Sequence, residues 1–213
     1  MQNDISRIRK EYSLKDLSKT SVHHDPFDQF RKWLDEAIAA EVNEPTAMTL
    51  ATATINGYPS ARIVLLKDFT EKGFIFFTNY ESKKGIQLNE NPRAALVFFW
   101  PELQRQVRLE GTAVKVPAGE SDRYFDSRPE GSRIGAWASR QSSVISSRAG
   151  LQKEVMKISG RFRNKSIPRP SYWGGYSLSP VLAEFWQGRP DRLHDRIQYK
   201  LQGSRWIISR LSP

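Results

Sequence analysis

Apolar residues in this chain come in short runs. SARIVLLKD and RAALVFFWP are strand-sized and far below the roughly 20 consecutive apolar residues that span a bilayer. From Ala47 onward the pattern is one of strands and tight turns. MTLATAT, Asn56-Gly57 and PSARIVLLK predict a β-hairpin, because Asn-Gly supplies the positive φ angles that a tight turn requires. GFIFFTN (73–79) and RAALVFFW (93–100) read as further strands, and QVRLEGTAVKV (106–116) alternates. After IPRPSYWGGYSLSP, read as a turn-rich connector, LAEFWQG (182–188), RIQYKL (196–201) and RWIISRL (205–211) read as three more strands. Helices are predicted at 26–41, 81–92, 120–127 and 150–162. In the first, Phe27, Phe30, Trp33, Leu34 and Ile38 make one stripe behind an Asp25 cap and Pro26. The expected architecture is mainly β with flanking helices (α+β), an antiparallel barrel rather than a doubly wound sheet. Residues 1–24 read as a partly flexible arm and 25–213 as one domain. No G-x-G-x-x-G or Walker-type loop supports a dinucleotide or P-loop reading.

Composition removes several chemistries. The 213 residues contain no cysteine, which excludes disulfides, thiolate nucleophiles and Cys-based metal centres. Of three histidines, His23 and His24 are adjacent in a polar stretch, so no metal site is expected. MQNDISRIRKEY lacks the apolar stretch of a signal peptide, and the expected location is the cytoplasm. The net charge of +10 favours anionic partners. Residues 131–170 hold nine basic side chains against Glu154, and residues 187–213 hold six against Asp191 and Asp195. Nucleic acid, an anionic membrane surface and small phosphorylated molecules all suit such a pattern, as does a solvated basic face.

Four constellations carry possible chemistry. Arg62-Ile63-Val64-Leu65-Leu66-Lys67 reads as a strand buried on both sides yet bracketed by two cations. The two sit on phosphates or reach solvent at the strand ends, since an unpaired buried charge is expensive. Phe77-Thr78-Asn79 leads into Ser82-Lys83-Lys84, where two lysines oppose the macrodipole at a helix start unless an anion joins them. Tyr124 and Arg128 stand one helical turn apart. Pro129 disfavours helical geometry at Arg128 and places Ser132 in the following loop. Trp186-Gln187-Gly188 precedes Arg192-Leu193-His194-Asp195-Arg196, an aromatic beside a cationic cluster. No nucleophile-elbow serine accompanies that histidine.

RIVLLK, FFTNYESKKG, RQVRLEG, YFDSRPEGSRIGAWASRQSS, WGGY and EFWQGRPDRLHDR occur in one order from about Arg9 to the C-terminal RLSP. In these motifs the chain resembles the FMN-dependent pyridoxine (pyridoxamine) 5′-phosphate oxidase family. The resemblance implies an FMN-binding split β-barrel and a homodimer with FMN at the subunit interface. It implies oxidation of pyridoxamine and pyridoxine 5′-phosphates to pyridoxal 5′-phosphate, with O2 reduced to H2O2. Implied FMN contacts are Arg62, Ile63, Val64, Leu65, Leu66, Lys67, Phe77, Thr78, Lys83, Lys84, Gln106, Gln141, Ser142, Trp186 and Arg196. Lys67, Tyr124, Arg128 and Ser132 would take the substrate phosphate. Arg192 and His194 would act over its ring as the catalytic pair, and Arg9, Lys10, Glu11 and Tyr12 would form a lid. Lys83, Asp126 and Arg133 depart from the family's frequent arginine, histidine and glutamine, and Lys83 replaces a bidentate fork with a point charge. A flavin protein acting on another substrate is the main rival, because fold alone does not set function. Nucleic-acid association through the basic block and a non-catalytic carrier of B6 phosphates are the others. On the resemblance, neither nucleic acid nor membrane is an expected partner.

Overall fold

The computed structural model describes residues 11–213, so Arg9 and Lys10 of the expected lid lie outside the described residues. Helix α1 spans Pro26–Ala39. The Asp25 carboxylate accepts from the Phe27 N–H at 2.7 Å, with proline at the first helical position. Its buried line is Phe27, Phe30, Trp33, Leu34 and Ala37, whereas Ile38, expected in that stripe, is exposed. Strands β1 (Ala47–Ala53) and β2 (Pro59–Leu65) form the expected hairpin. Only Gly57 of the Asn-Gly pair takes a positive φ, at 85°. The Gly57 N–H donates to Thr54 O and the Thr54 N–H to Tyr58 O, a three-residue loop that needs one left-handed residue rather than two.

The remaining elements are β3 (Asp68–Thr70), β4 (Gly73–Asn79), α2 (Lys83–Glu90), β5 (Arg93–Trp100), β6 (Arg105–Lys115), α3 (Ala118–Ser127), α4 (Glu130–Ala138), α5 (Arg148–Arg161), β7 (Trp173–Gln187), β8 (Asp195–Gln202) and β9 (Arg205–Leu211). The strands follow the hydrogen-bonded order β2-β1-β5-β6-β7-β4-β3, with β8 on β7 and β9 on β8. The β3–β4, β4–β7, β7–β8 and β8–β9 pairings are antiparallel. The sequence reading missed β3 and α4. It also took WGGYSLSP for a connector, although that stretch is the first half of β7. Gly174 and Gly175 obscured it: a side chain at Gly174 would collide with the Tyr80 ring and one at Gly175 with Phe77. The glycines therefore mark close approach within a strand, not a turn.

Two compact units divide the described residues: 11–49, 95–110 and 180–213 in the first, and 50–94 and 111–179 in the second. In the first, Phe30 packs on Phe98, Trp33 on Phe185 and Phe185 on Tyr199, all fully or almost fully buried. In the second, Phe125, Ile134, Phe162, Ile167 and Trp173 form the core beneath α3, α4 and α5. Val155 and Ile158 of α5 pack against it, while Lys153 and Lys157 are exposed, the solvated-face arrangement. The β2 strand is not buried on both sides, as RIVLLK suggested. Arg62 and Val64 are half-buried and Ile63 and Leu65 are exposed, because β2 ends the hydrogen-bonded strand order. Leu66 is buried just beyond it.

Helix α2 starts hard against the end of β4. A Cβ on Gly85 would lie 2.2 Å from the backbone oxygen of Tyr80 and 2.7 Å from that of Asn79. Gly85→Ala should therefore cost about 1–3 kcal/mol in urea unfolding, the range for forced overpacking. In α4, Gly131 has open space around it, so Gly131→Ala should stabilise by about 0.5–1 kcal/mol. Equal effects of the two substitutions would contradict this packing.

Candidate functional site

The second unit contains a cavity of about 960 Å³. Of the implied site residues, Arg62, Ile63, Val64, Leu65, Lys67, Phe77, Thr78, Lys83, Lys84, Tyr124, Arg128, Ser132, Gln141 and Ser142 all line it. Three of the four constellations, separated by up to 70 positions, thus meet in one place. Leu66, just beyond the end of β2, does not line the cavity and is buried in the core.

Its cations are held by neutral groups. Lys84 is 8% exposed, and its Nζ donates to Thr78 Oγ1 at 3.2 Å, Ser82 Oγ at 3.3 Å and Gln141 Oε1 at 3.1 Å. Burial, helped by the nearby Arg62 charge, lowers its pKa from 10.5 to about 8. Arg62 Nη1 donates to Thr52 Oγ1 at 2.6 Å and to the Leu50 and Ser60 carbonyls at 3.2 and 3.3 Å. Burial lowers its pKa as well. Among the described residues no ion pair joins Arg62, Lys67, Lys83, Lys84 or Arg128 to a carboxylate. Buried cations without counter-ions are costly, and an anion in the cavity relieves that cost.

One wall is aromatic. Tyr124 stacks on Phe77 with centroids 3.9 Å apart, and Arg128 lies over the Trp173 ring at 4.6 Å. Burial raises the Tyr124 pKa, which keeps the phenol a donor. Arg128 Nη1 is buried with no hydrogen-bond partner. Pro129 fixes Arg128 in extended geometry, with ψ 146°, as expected. Ser132, however, is not in a loop. It lies in the first turn of α4, where its N–H donates to Pro129 O at 2.9 Å and the residue lines the cavity near the positive end of the helix dipole.

The fourth constellation belongs to the first unit. Trp186 and His194 lie 4.6 Å apart, and Tyr12 of the arm packs edge-on to both at 5.8 Å. His194 Nδ1 accepts from the Arg189 N–H at 3.1 Å, which puts the neutral ring's proton on Nε2. Burial and then Arg192 lower its pKa, so the neutral form prevails at pH 7. Arg192 is exposed in a left-handed conformation at φ 61°, following Asp191 at 54°. Such backbone persists where surrounding structure over-determines it. Arg196 Nε donates to Glu184 at 2.8 Å. Burial alone would raise the Glu184 pKa, but hydrogen bonds from Arg196 and Arg108 outweigh that and lower it. Gln106 is half-buried on β6, and Glu11 is exposed. The sequence reading missed Glu184, Thr52, Gln87 and Trp173. Trp173, inside the WGGY motif, and Glu184, the first residue of EFWQGRPDRLHDR, carried a signal. Among the described residues no cluster of metal-ligating side chains occurs, and no helix is long and apolar enough to cross a membrane.

The nine-stranded sheet with its flanking helices is of the split-barrel class, and aromatic faces beside positive charge without a carboxylate partner give a cavity that suits flat anionic ligands. The comparisons with known proteins then specify the family. Residues 34–162 match the family model described as pyridoxamine 5′-phosphate oxidase, and residues 173–213 match the pyridoxine 5′-phosphate oxidase C-terminal dimerisation region. The pyridoxine/pyridoxamine 5′-phosphate oxidase of Cyanothece sp. is 55% identical over 213 residues, covering 100% of both chains. That of Haemophilus influenzae is 53% identical over 210 residues, covering 99% of this chain and 100% of its own. A crystal structure of PhzG from Burkholderia lata 383 in complex with tetrahydrophenazine-1-carboxylic acid matches with TM-score 0.88 and 32% identity. It covers 94% of this chain and 100% of that one. The chain belongs to the pyridoxamine 5′-phosphate oxidase family.

The lowered Lys84 pKa has a stability consequence. The unfolded chain binds more protons than the folded one between pH 8 and 10.5, so the Lys84 contribution to stability rises with pH across that window. Urea unfolding of wild type and Lys84→Met at pH 7 and pH 10 should show the difference shifting toward wild type at the higher pH. A difference independent of pH would show that Lys84 is solvated.

Proposed function

We propose that this protein is an FMN-dependent oxidase that converts pyridoxamine 5′-phosphate and pyridoxine 5′-phosphate to pyridoxal 5′-phosphate. The observation that carries the reading is the unpaired set Arg62, Lys84 and Arg128 in one aromatic-walled cavity. Those groups fit FMN: the donors are cationic or neutral, none is a carboxylate, and Phe77 and Trp173 offer flat faces. When bound, FMN supplies the acceptor for hydride from C4′ of the substrate at its N5 and passes the electrons to O2, giving H2O2.

The protein's own part is binding and orientation. Arg62, Lys83 and Lys84, with Thr78, Gln141 and Ser142, take the FMN phosphate region. Lys67, Tyr124, Arg128, Ser132 and the start of α4 take the phosphate of the substrate. Both grips lie far from the reacting atoms, so their binding energy is spent on alignment. Arg192 and His194 orient the substrate ring, and the Nε2–H of neutral His194 is a donor toward it. Trp186, Gln106 and Arg196 complete the flavin site, and the Glu11-Tyr12 stretch covers it. The match of residues 173–213 to a dimerisation region supports a homodimer, and on this reading FMN lies at its subunit interface.

Purified protein should be yellow, and its flavin absorption should bleach on anaerobic addition of pyridoxamine 5′-phosphate. Failure to bind FMN, or a flavin spectrum that neither B6 phosphate changes, overturns the reading. Arg192→Ala should retain FMN and lose about tenfold to a thousandfold in turnover, the range for a lost orienting contact. Wild-type turnover in that variant removes Arg192 from the mechanism.

A further inference from the structure

Arg62 is held by a hydrogen-bond path with a fixed direction. Its guanidinium only donates, so Thr52 Oγ1, accepting from Nη1 at 2.6 Å, must pass its own proton onward. The acceptor is Gln87 Oε1, also at 2.6 Å. The Gln87 Nε2 then donates to Ser60 Oγ at 3.0 Å. The path ties three elements together: β1 through Thr52, β2 through Ser60 and α2 through Gln87. Thr52 and Gln87 are each 3% exposed, so water does not replace a lost partner.

The path consumes one end of the guanidinium. Nη1 serves Thr52, Leu50 and Ser60, which leaves Nη2 and Nε for the cavity that Arg62 lines. Gln87 lies one helical turn beyond Lys83 and Lys84. A single rigid helix therefore presents Lys84 to the cavity and clamps Arg62 beside it, holding two like charges together before any anion arrives.

We propose that Gln87, acting through Thr52, is a positioning residue that fixes the Arg62 guanidinium for the FMN phosphate. The inference rests on the FMN reading above and adds residues that do not line the cavity. Such preorganisation should matter for the phosphate and not for the isoalloxazine ring, so FMN and riboflavin separate the two.

Equilibrium titrations of apoprotein with FMN and with riboflavin, read by flavin fluorescence, test it. Wild type should bind FMN far more tightly than riboflavin. Thr52→Val, close in shape but without the hydroxyl, and Gln87→Leu should each weaken FMN binding about tenfold and leave riboflavin binding unchanged. Thr52→Ser, which restores the hydroxyl, should recover wild-type FMN affinity. Should Gln87→Leu fail to fold, the Thr52 pair reads the same link. Equal losses for both flavins, or an unchanged preference for FMN, would overturn the positioning role. Wild type that binds no FMN sinks the FMN reading itself, a result seen before any variant is made.

Discussion

Burying positive charge without a carboxylate partner is the constraint on which the second unit is organised. Lys84 and Arg62 sit in neutral cradles of hydroxyls, amides and carbonyls, and Arg128 lies on an aromatic face with a buried Nη1 unpartnered. A carboxylate neighbour would stabilise each cation more cheaply, yet it would also cancel the field an anion needs. Neutral cradles fix the cations in place and leave their charge available. The depressed Lys84 pKa is the measure of what this arrangement costs the folded state.

The contrast with the first unit follows from the same reasoning. There the cations are compensated: Arg196 and Arg108 share buried Glu184, Arg105 pairs with Glu36 at 2.6 Å, and Arg210 pairs with Asp195. Asp195 Oδ2 also accepts from the Leu17 N–H at 3.0 Å, while Gln104 Oε1 accepts from Ser13 and Leu14. Charge in that unit is spent on fixing the arm and the strands. Arg192, exposed in a left-handed backbone segment two residues before His194, is suited on the proposed reading to orienting a ring.

The elements themselves were largely legible. β4, β5 and β9 fall where their apolar runs placed them, and Asp25-Pro26 marked the start of α1, because local pattern and capping act over a few residues. Errors came where a tertiary contact overrode a local signal. Gly174-Gly175 read as a turn but lies in β7, where Tyr80 and Phe77 leave no room for a Cβ. RIVLLK read as fully buried, but β2 is terminal in the strand order and leaves Ile63 and Leu65 exposed. Ser132 read as loop because Pro129 ends α3, yet the same proline opens α4.

The sequence by itself determined most of the strands, the family motifs and which side chains can meet an anion, since residue type and short-range spacing carry that information. Only the tertiary structure decided which cations stay unpaired and what holds them. Nothing in the spacing of Thr52, Ser60, Arg62 and Gln87 joins them. Their hydrogen bonds exist because a hairpin and a helix some 20 residues away in the chain fold against one another.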